Sequence, residues 1–507
     1  MARRRRHWGW GFEDEPPPER EAVAGLAAHL GFGSAELEAP APLRVPPPRV
    51  PVPEALHGLC AVDDHARALH AHGASYLDVV RALRSELPHV PDAVAYPADE
   101  ADLARVLEWC AGARLAVTPF GGGTSVVGGA DPVAAPGLEG AVSLDLSRLD
   151  RVLEVDPVSR AARIQAGATG PGLEAQLGEH GLTMRFFPQS FERSTLGGWV
   201  ATRAAGHFAT GPTHVDDLVE SIRALTVAGD VWESRRLPGS GAGPSPDRLL
   251  LGSEGTLAVV TEAWVRVRPR ELERRSARVE LPSWDAGLDA VREIAQAGLE
   301  PANCRLVEPR EAALTFAGDG SSALLLLAFE GVIEPAGRAV AIAERHGGRA
   351  SEGGSGAWRE TFVRAPYLRD TLVAMGVLSE TFETAVTWDR LPGFVDRVRA
   401  ATLDALGEGI VTCRLTHAYP DGAAPYFTVL APARRGEEEA QWDAVKRAAA
   451  GAILAGGGTI THHHAVGRDH RPFYDRQRPE PFAAALAAGK AALDPGGILN
   501  PGVLLPA

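Results

Sequence analysis

Apolar and polar residues switch between helical and strand-like spacing along the first half of the chain. Apolar positions at helical spacing predict an amphipathic helix over residues 101–112, and a continuous apolar run predicts a buried strand over residues 115–119. Strands and helices of this kind alternate between residues 90 and 270, which indicates an α+β or α/β organisation. Further strand-like runs lie at residues 142–146, 163–166, 222–227 and 257–268.

The same mixture of elements continues to the C-terminus, whereas prolines dominate the beginning. Because Pro16–Pro18 and Pro46–Pro48 cannot lie inside helices, residues 1–50 are expected to be extended except for one helix over residues 21–30. Helices are also predicted at 75–90, 286–299, 335–346, 437–454 and 481–493, and strands at 323–329, 414–419 and 426–430. We expect an N-terminal segment (1–88), an α+β domain (89–270), a second α+β domain (271–455) and a C-terminal segment (456–507).

The charge and cysteine content narrow the classes of protein. The formal net charge is −14, from 51 Lys+Arg against 65 Asp+Glu, which disfavours non-specific nucleic-acid binding. The four cysteines are scattered and suit reduced thiols better than a disulfide framework. The basic run Arg3–Arg6 is not followed by an apolar core, so no secretory signal is expected. This run could touch anionic lipid or remain a solvated tail.

A glycine-rich turn follows the predicted strand at 115–119. In Phe120-Gly121-Gly122-Gly123-Thr124-Ser125, three glycines permit positive φ angles and close approach of a ligand to the backbone. Converging amide N–H groups and two hydroxyls would suit a pyrophosphate. The alternative is a plain tight turn. The spacing is neither that of a Rossmann fingerprint nor that of a P-loop.

Two later stretches make a cofactor site the better interpretation. These are Ser194–Trp199 with Thr202–Gly206, and Leu251–Leu257. Together with the glycine-rich turn, and in this order, they resemble the FAD-binding domain of the vanillyl-alcohol oxidase / p-cresol methylhydroxylase superfamily. The resemblance implies a two-lobed α+β FAD-binding domain followed by an α+β substrate (cap) domain. The resemblance implies that FAD is bound by Pro119, Phe120, Gly121, Gly122, Gly123, Thr124, Ser125, Val126, Gln189, Ser190, Ser194, Thr195, Gly198, Thr202, Arg203, Ala204, Ala205, Glu254, Gly255, Thr256, Leu257, Val259 and Val260.

Further matches narrow the resemblance to one branch. From Trp8–Gly11 almost to the C-terminus, the chain resembles the alkyldihydroxyacetonephosphate (alkylglycerone-phosphate) synthase family, with a shorter middle region. Members of that family exchange the acyl group of acyl-dihydroxyacetone phosphate for a fatty alcohol, in ether lipid synthesis, and FAD serves as an electrophilic anchor without net redox. The matching stretches are Cys304–Leu306, Tyr367–Asp370, Glu380–Thr384, Thr412–His417, Gly422–Phe427 and His462–Gly467.

The resemblance assigns roles to particular side chains. Tyr426 matches the active-site tyrosine, Arg369 the substrate-binding arginine, and Arg305 a further required arginine. The run His462, His463 and His464 suits proton abstraction beside a ketone. An extended segment would place His463 on the face opposite the other two. Without the resemblance, the tyrosine would be interpreted as core, the arginines as surface or ion-paired residues, and the histidines as surface residues or metal ligands.

The main alternative is an FAD-linked oxidoreductase acting on a D-2-hydroxy acid. Many such enzymes hold a divalent metal with a HxGDGNxH stretch and a Glu-His pair. In this chain Tyr426 lies near the position of the second histidine of that stretch, and His463-His464 takes the place of the Glu-His pair. No metal site is therefore expected. A site formed by His417 with the histidine run is the remaining possibility. A flavin-binding relic or regulatory protein is a third possibility. It would not need the tyrosine, the histidines and Arg369 together.

The resemblance and the chain ends also set expectations about location and partners. Neither a peroxisomal N-terminal pattern nor a C-terminal Ser-Lys-Leu is found, so we expect a cytoplasmic enzyme of bacterial type, in possible peripheral contact with the inner face of the membrane. The expected partners are lipid substrates and a second copy of the chain, as a homodimer, with no nucleic acid.

Overall fold

A computed structural model describes residues 3–352 and 355–507 of the chain. At the N-terminus, residues 3–15 form a short hairpin in which Arg5 and Phe12 make an antiparallel bridge. Helix α1 (Arg20–Leu30) begins just after the first proline triplet and ends at Gly31, whose φ of 79° is the left-handed conformation that favours glycine. Its buried residues Val23 and Leu30 pack into a small apolar cluster with Leu372 and Met375, so the lead-in is packed against the rest of the chain.

The first sheet carries the glycine turn at the end of its edge strand. Its order is β1-β2-β4-β3, with β2, β4 and β3 parallel and β1 antiparallel. Strands β2 and β4 are buried along their whole length, as continuous apolar runs in parallel sheets usually are. The elements of this part are β1 (Cys60–Ala61), α2 (Asp64–Leu69), α3 (Tyr76–Leu83), β2 (Ala93–Ala95), α4 (Glu100–Ala113), β3 (Leu115–Phe120) and β4 (Gly140–Asp145).

A second, antiparallel sheet packs beside the first and shares its apolar core. Its order is β5-β6-β10-β8-β9, and a two-stranded ribbon of β7 and β11 leads out of it. The elements are β5 (Val152–Asp156), β6 (Ala161–Gln165), α5 (Gly170–Gly178), β7 (Leu182–Thr183), α6 (Leu196–Thr202), β8 (Val219–Leu225), β9 (Val231–Glu233), α7 (Pro246–Leu250), β10 (Val259–Arg266) and β11 (Arg268–Pro269).

The largest sheet lies in the second half of the chain and has its own core. Its order is β15-β12-β14-β13-β18-β19-β16, all antiparallel, and β17 also pairs with β19. The elements are β12 (Arg274–Leu281), α8 (Trp284–Gln296), β13 (Asn303–Val307), α9 (Pro309–Leu314), β14 (Ala323–Glu330), α10 (Pro335–Arg345), β15 (Arg349–Glu352), α11 (Ser355–Ala374), β16 (Val377–Glu383), β17 (Val386–Thr387), α12 (Phe394–Leu406), β18 (Ile410–Ala418) and β19 (Gly422–Pro432).

The C-terminal residues return to the first sheet. After α13 (Glu438–Ala455), α14 (Arg471–Gln477) and α15 (Glu480–Leu493), Leu499 makes a parallel bridge to Val117 of β3. The side-chain amide of Asn500 then donates to the carbonyl of Glu254 at 2.8 Å. The last residues of the chain are therefore packed beside the strand that leads into the glycine turn.

The α+β prediction is confirmed, while individual elements differ from those expected. The helix expected over residues 75–90 ends at Leu83, because Ser85 takes a left-handed φ of 58° and Pro88 follows. Helix α11 was not predicted, since its apolar residues lack a clear helical repeat and Pro366 lies inside it. In the described part of the chain, no helix combines the length and the apolar character needed to cross a bilayer.

Candidate active site

The three glycine-containing stretches singled out from the sequence interlock around the end of β3. A β-carbon on Gly121 would overlap the side chain of Thr195, so the first two stretches are in contact. A β-carbon on Gly255 would lie 2.8 Å from Pro119, and Gly255 also has a φ of 69°. Glycine is therefore required at these positions by close packing of one loop on another, as well as by any ligand.

The backbone of the turn is suited to an anion. Among the residues the structure describes, the amide N–H groups of Gly121 to Val126 donate to no other protein group, whereas Phe120, just before them, pairs with Asp145 of β4. Thr195 caps the start of α6 by accepting from the amide of Gly198 at 3.3 Å. Successive unpaired amides converging at a glycine turn fit a phosphate.

The third stretch is tied to the C-terminal segment by a buried carboxylate. Glu254 accepts hydrogen bonds from the amides of Val466 at 2.9 Å and Gly467 at 2.8 Å. Burial raises the pKa of Glu254 to about 7, and the two amide donors act in the opposite direction. Its role in this structure is to join the loop to the segment that carries the histidines.

The other residues expected to hold the cofactor lie on the same three loops or next to them. The Ser194 hydroxyl accepts from the indole of Trp199 at 2.8 Å, and Arg203 pairs with Asp216 at 2.8 Å. The Thr256 hydroxyl donates to the carbonyl of Ser253 at 2.7 Å. The rest are Gln189 and Ser190 in the partly exposed loop before α6, Thr202 at the end of α6, Ala204 and Ala205 just beyond it, and the buried Leu257, Val259 and Val260 at the start of β10.

The histidine run bends around the carboxylate of Glu383, at the end of β16. Glu383 accepts from the amides of all three histidines, at 3.0 Å for His463 and 2.9 Å for His464, and from the hydroxyl of Thr461 at 2.6 Å. The expectation of an extended segment with alternating faces is therefore wrong, because one acceptor collects successive amides. Burial acts to raise the pKa of Glu383, but the neighbouring histidines and the Thr461 hydroxyl hold it well below its usual range.

Side-chain nitrogens of the run form a chain of hydrogen bonds. The Tyr419 hydroxyl lies 2.7 Å from Nε2 of His462, and Nδ1 of His462 lies 2.9 Å from Nδ1 of His463. His214, from the first half of the protein, also reaches Nε2 of His462 at 3.1 Å. His417 lies against the same cluster, with its own ring nitrogens bonded to the Thr416 hydroxyl and the Gly206 carbonyl. A proton can pass between His463 and Tyr419 along this chain.

Burial disfavours the charged form of His417, His462, His463 and His464. Burial lowers the pKa of His463 to about 3 and also lowers that of His464. Burial and then the charge of a neighbouring histidine hold the pKa values of His417 and His462 well below their usual range. Neutral imidazoles carry the free lone pair that a proton acceptor needs.

Sheet register places Tyr426 directly between two charged residues. On β19, Tyr426 is paired with Arg414 of β18 on one side and with Glu383 of β16 on the other. The Arg414 guanidinium lies 4.1 Å from the centre of the tyrosine ring. Burial raises the pKa of Tyr426, so the phenol keeps its proton at neutral pH. The rings of His463 and His464 lie 6.1 Å and 5.6 Å from it, between centroids.

A second buried guanidinium lies next to this group. Arg305, on β13, is almost fully buried, and burial followed by the charge of Arg414 lowers its pKa to about 9. Arg414 itself forms an ion pair with the buried carboxylate of Glu311. An anion bound here would relieve the repulsion between the two guanidinium groups.

Arg369 is placed beside the glycine turn rather than in the histidine cluster. From α11 it donates to the carbonyl of Ala74 and pairs with Asp370 at 2.8 Å. The amide of Ala74 in turn donates to the carbonyl of Ser125 at 2.6 Å. The contacts of Arg369 therefore link α11 to the turn.

A cavity of about 480 Å³ is lined by none of the histidines of the cluster, but two of its lining residues are close in sequence to residues of the site. It is bordered by His207, next to Gly206, whose carbonyl holds His417, and by Asn303, two residues before Arg305 on the same strand. The remaining lining is mainly aromatic and basic, with Phe187, Phe191, Phe208, Arg185, Arg268, Arg270, Arg274 and Arg275.

Comparison with known proteins identifies the family. The model for an FAD binding domain matches residues 91–235, and that for the C-terminal domain of FAD linked oxidases matches residues 271–504. The alkyldihydroxyacetonephosphate synthase of Caenorhabditis elegans is 31% identical over 474 residues, which cover 85% of this chain and 79% of the relative. The chain belongs to the alkyldihydroxyacetonephosphate synthase family.

Solved structures agree on the fold. A structure of alkyldihydroxyacetonephosphate synthase matches with a TM-score of 0.83 at 23% identity, over 98% of each chain. Substrate-bound p-cresol methylhydroxylase matches with a TM-score of 0.71 at 15% identity, over 96% of each chain. The predictions of an FAD-binding fold, of FAD as the cofactor and of an enzyme in this synthase family are therefore confirmed.

Several side chains of the site were not assigned from the sequence. Tyr419 and His214 carry no signal of their own, because they meet His462 only after folding, across 248 residues in the case of His214. Glu383 and Arg414 lie inside two of the stretches that resemble the synthase family, Glu380–Thr384 and Thr412–His417. Their position within these stretches was the available signal.

We expect Gly122→Ala to lower the FAD bound per chain several-fold. A β-carbon at Gly122 would overlap the backbone carbonyl of Arg193, which cannot move without displacing the loop before α6. The flavin absorbance of the purified variant, relative to its protein absorbance, measures the effect. Gly112→Ala is the matched control, since its β-carbon would meet nothing within 4 Å. Full FAD content in Gly122→Ala would contradict this assignment.

Proposed function

We propose that this protein is an FAD-dependent alkylglycerone-phosphate synthase. It exchanges the acyl group of acyl-dihydroxyacetone phosphate for a long-chain alcohol. The bond that breaks joins the acyl carboxylate oxygen to the dihydroxyacetone carbon that it esterifies, on the side of the ketone away from the phosphate. An ether bond then forms between that carbon and the alcohol oxygen. The carboxylate leaves with the bonding electron pair, the alcohol loses its proton, and no electrons are transferred overall.

The observation that carries this proposal is the placement of His463 and His464 beside Tyr426, which brings proton acceptors next to a proton donor. Tyr426 and His463 lie with nearly parallel rings, 20° apart, and each offers the protonation state that the reaction needs. Hydride transfer to a flavin does not need both a side chain that protonates a leaving group and a side chain that takes a proton from the carbon bearing that group. An acyl-for-alkyl exchange does.

Each side chain then has a step to perform. His463 removes a proton from the carbon between the ketone and the acyl oxygen, and His462 with Tyr419 holds or relays that proton. When bound, FAD supplies the electrophile that keeps the dihydroxyacetone phosphate portion in the site between departure of the acid and arrival of the alcohol. Tyr426 donates a hydrogen bond or proton to the leaving carboxylate. Arg305 and Arg414 provide the positive charge that favours a phosphate.

The lining of the 480 Å³ cavity suits a lipid substrate. Four phenylalanines offer an apolar wall, and five arginines line the same cavity against two carboxylates, those of Glu174 and Glu330. Glu330 accepts from Arg185 at 2.7 Å and from Arg268 at 2.9 Å. Apolar rings beside excess positive charge suit an anionic amphiphile, such as a fatty acid or a lipid phosphate.

The geometry disfavours a metal-dependent hydroxy-acid oxidoreductase. His417, His462 and His463 have ligand atoms within 4.8 Å of one another. The carboxylate nearest to them, Glu383, points its oxygens at three backbone amides and a hydroxyl. A metal would have to compete with these donors for the acidic ligand.

An isotope experiment tests the proposed exchange. The purified protein is incubated with acyl-dihydroxyacetone phosphate and a long-chain alcohol whose hydroxyl carries heavy oxygen, and both products are analysed by mass spectrometry. We expect the label in the ether product and none in the released fatty acid. Heavy oxygen in the acid, or no ether at all, would contradict the proposed reaction.

A further inference from the structure

The N-terminal hairpin, residues 3–15, lies against the glycine turn of the FAD site. Nη2 of Arg5 donates to the carbonyl of Gly122 at 3.0 Å, across 117 residues of sequence. Nε of Arg5 is buried and has no hydrogen-bond partner among the described residues. A guanidinium has five N–H donors, so this side chain keeps donors to spare beside the turn whose own amides face no protein acceptor.

The hairpin is held in this place by several independent contacts. The Arg193 guanidinium donates to the carbonyls of Gly9 at 3.3 Å and Gly11 at 2.9 Å and lies 4.4 Å from the centre of the Trp10 ring. The backbone carbonyl of Arg193 faces Gly122. One residue thus links the hairpin to the glycine turn.

Other contacts join the hairpin to α11, to the loop before α6 and to α2. The amide of Trp10 donates to Asp370, next to Arg369 on α11, and the Trp10 indole donates to Glu192 at 3.1 Å. His65, from α2, donates to the carbonyl of Arg5 at 2.9 Å. The backbone of Arg5 is therefore fixed, which lowers the entropy that its side chain would lose on binding a ligand.

The four arginines of the N-terminal run are not equivalent. Arg3 pairs with Asp14 and Glu15, and Arg4 lies 3.5 Å from Glu13, so both are balanced within the hairpin. Arg6 donates to the carbonyl of Glu15 at 2.7 Å. Arg5 alone in this run has its guanidinium directed at the glycine turn, among the side chains the structure describes.

We propose that Arg5 completes the phosphate site of the cofactor, so that the N-terminal hairpin acts as a clasp that contacts the FAD pyrophosphate and slows FAD release. The planar guanidinium matches a phosphate better than a lysine ammonium would, because it can donate two parallel hydrogen bonds. The clasp concerns FAD binding, which does not depend on the reaction proposed above, so either can fail without the other.

Flavins with and without a pyrophosphate distinguish this role from a merely structural one. Flavin-depleted full-length protein is titrated with FAD and with riboflavin, by flavin fluorescence, for the wild type and for Arg5→Gln, Arg5→Lys and Arg3→Gln. We expect Arg5→Gln to raise the Kd for FAD about 10- to 100-fold, as for loss of a charge-assisted hydrogen bond, and to leave the Kd for riboflavin within about twofold. Arg5→Lys should raise the Kd for FAD by less, and Arg3→Gln should bind FAD with the Kd of the wild type.

The same titrations can overturn the proposal. A structural role for Arg5 would weaken FAD and riboflavin binding equally, and a role in neither would leave both unchanged. Either result would contradict the clasp. If Arg5→Gln fails to fold, the comparison of Arg5→Lys with the wild type decides, since an unaltered Kd for FAD in a folded lysine variant would contradict bidentate contact with the pyrophosphate.

Discussion

Replacing His463 with alanine should lower kcat about 10³-fold while FAD remains bound. The loss of a positioned proton acceptor typically costs 10²- to 10⁴-fold. His463 is the member of the run whose ring lies nearly parallel to that of Tyr426 and whose Nδ1 is hydrogen-bonded to His462, which in turn is bonded to Tyr419. The turnover of acyl-dihydroxyacetone phosphate with an alcohol, and the flavin absorbance per chain, should be measured on the same preparation.

The exposed His180, which is not part of the site, provides the control for this substitution. His180→Ala should keep the turnover of the wild type. A His463→Ala variant with kcat within about threefold of the wild type would show that another group removes the proton. Loss of FAD together with turnover would instead assign His463 to cofactor binding.

Replacing Glu383 with glutamine should lower the free energy of unfolding by about 3 kcal/mol, and turnover with it. The fully buried carboxylate accepts from three backbone amides and a hydroxyl, and an amide group offers a single acceptor oxygen and adds two donors. Part of the histidine bend would then lose its partners. Denaturant unfolding of both proteins at neutral pH measures the difference.

The stability difference between the wild type and Glu383→Gln should depend on pH. Because the folded-state pKa of Glu383 lies well below its ordinary value, its stabilisation is fully present above the unfolded carboxyl pKa of about 4.3 and is lost as the pH falls towards the folded value. The stability difference between wild type and Glu383→Gln should therefore shrink on acidification below about pH 4. The exposed Glu344 supplies the control, and a Glu344→Gln variant as unstable as Glu383→Gln would contradict this account.

Local patterns predicted the fold where burial and periodicity coincide. The helix and strand before the glycine turn were expected within a residue or two of α4 and β3, because a one-sided apolar face and a fully apolar run have distinct signatures. Helix α11 was missed, since a proline interrupts it and packing against neighbours, rather than its own pattern, holds it in place. The N-terminal hairpin was missed for the same reason, as its contacts are distant in sequence.

The site could be predicted in its residue types but not in its geometry. The resemblance pointed to Tyr426 and the histidine run, and these do lie together. The bend of the run depends on Glu383, some 80 residues earlier, and local spacing carries no information about such an acceptor. Arg369 shows the opposite case, in which a residue expected to bind the substrate makes its contacts beside the glycine turn.

The most direct test of the central claim, an exchange without net redox, is anaerobic absorption spectroscopy of the FAD-loaded protein. With acyl-dihydroxyacetone phosphate and a long-chain alcohol, ether product should accumulate over many turnovers while the flavin returns to its oxidised spectrum, and D-2-hydroxy acids should not bleach it. Bleaching by a simple D-2-hydroxy acid at a catalytic rate, without ether formation from the lipid substrates, would contradict the transferase and favour an oxidoreductase.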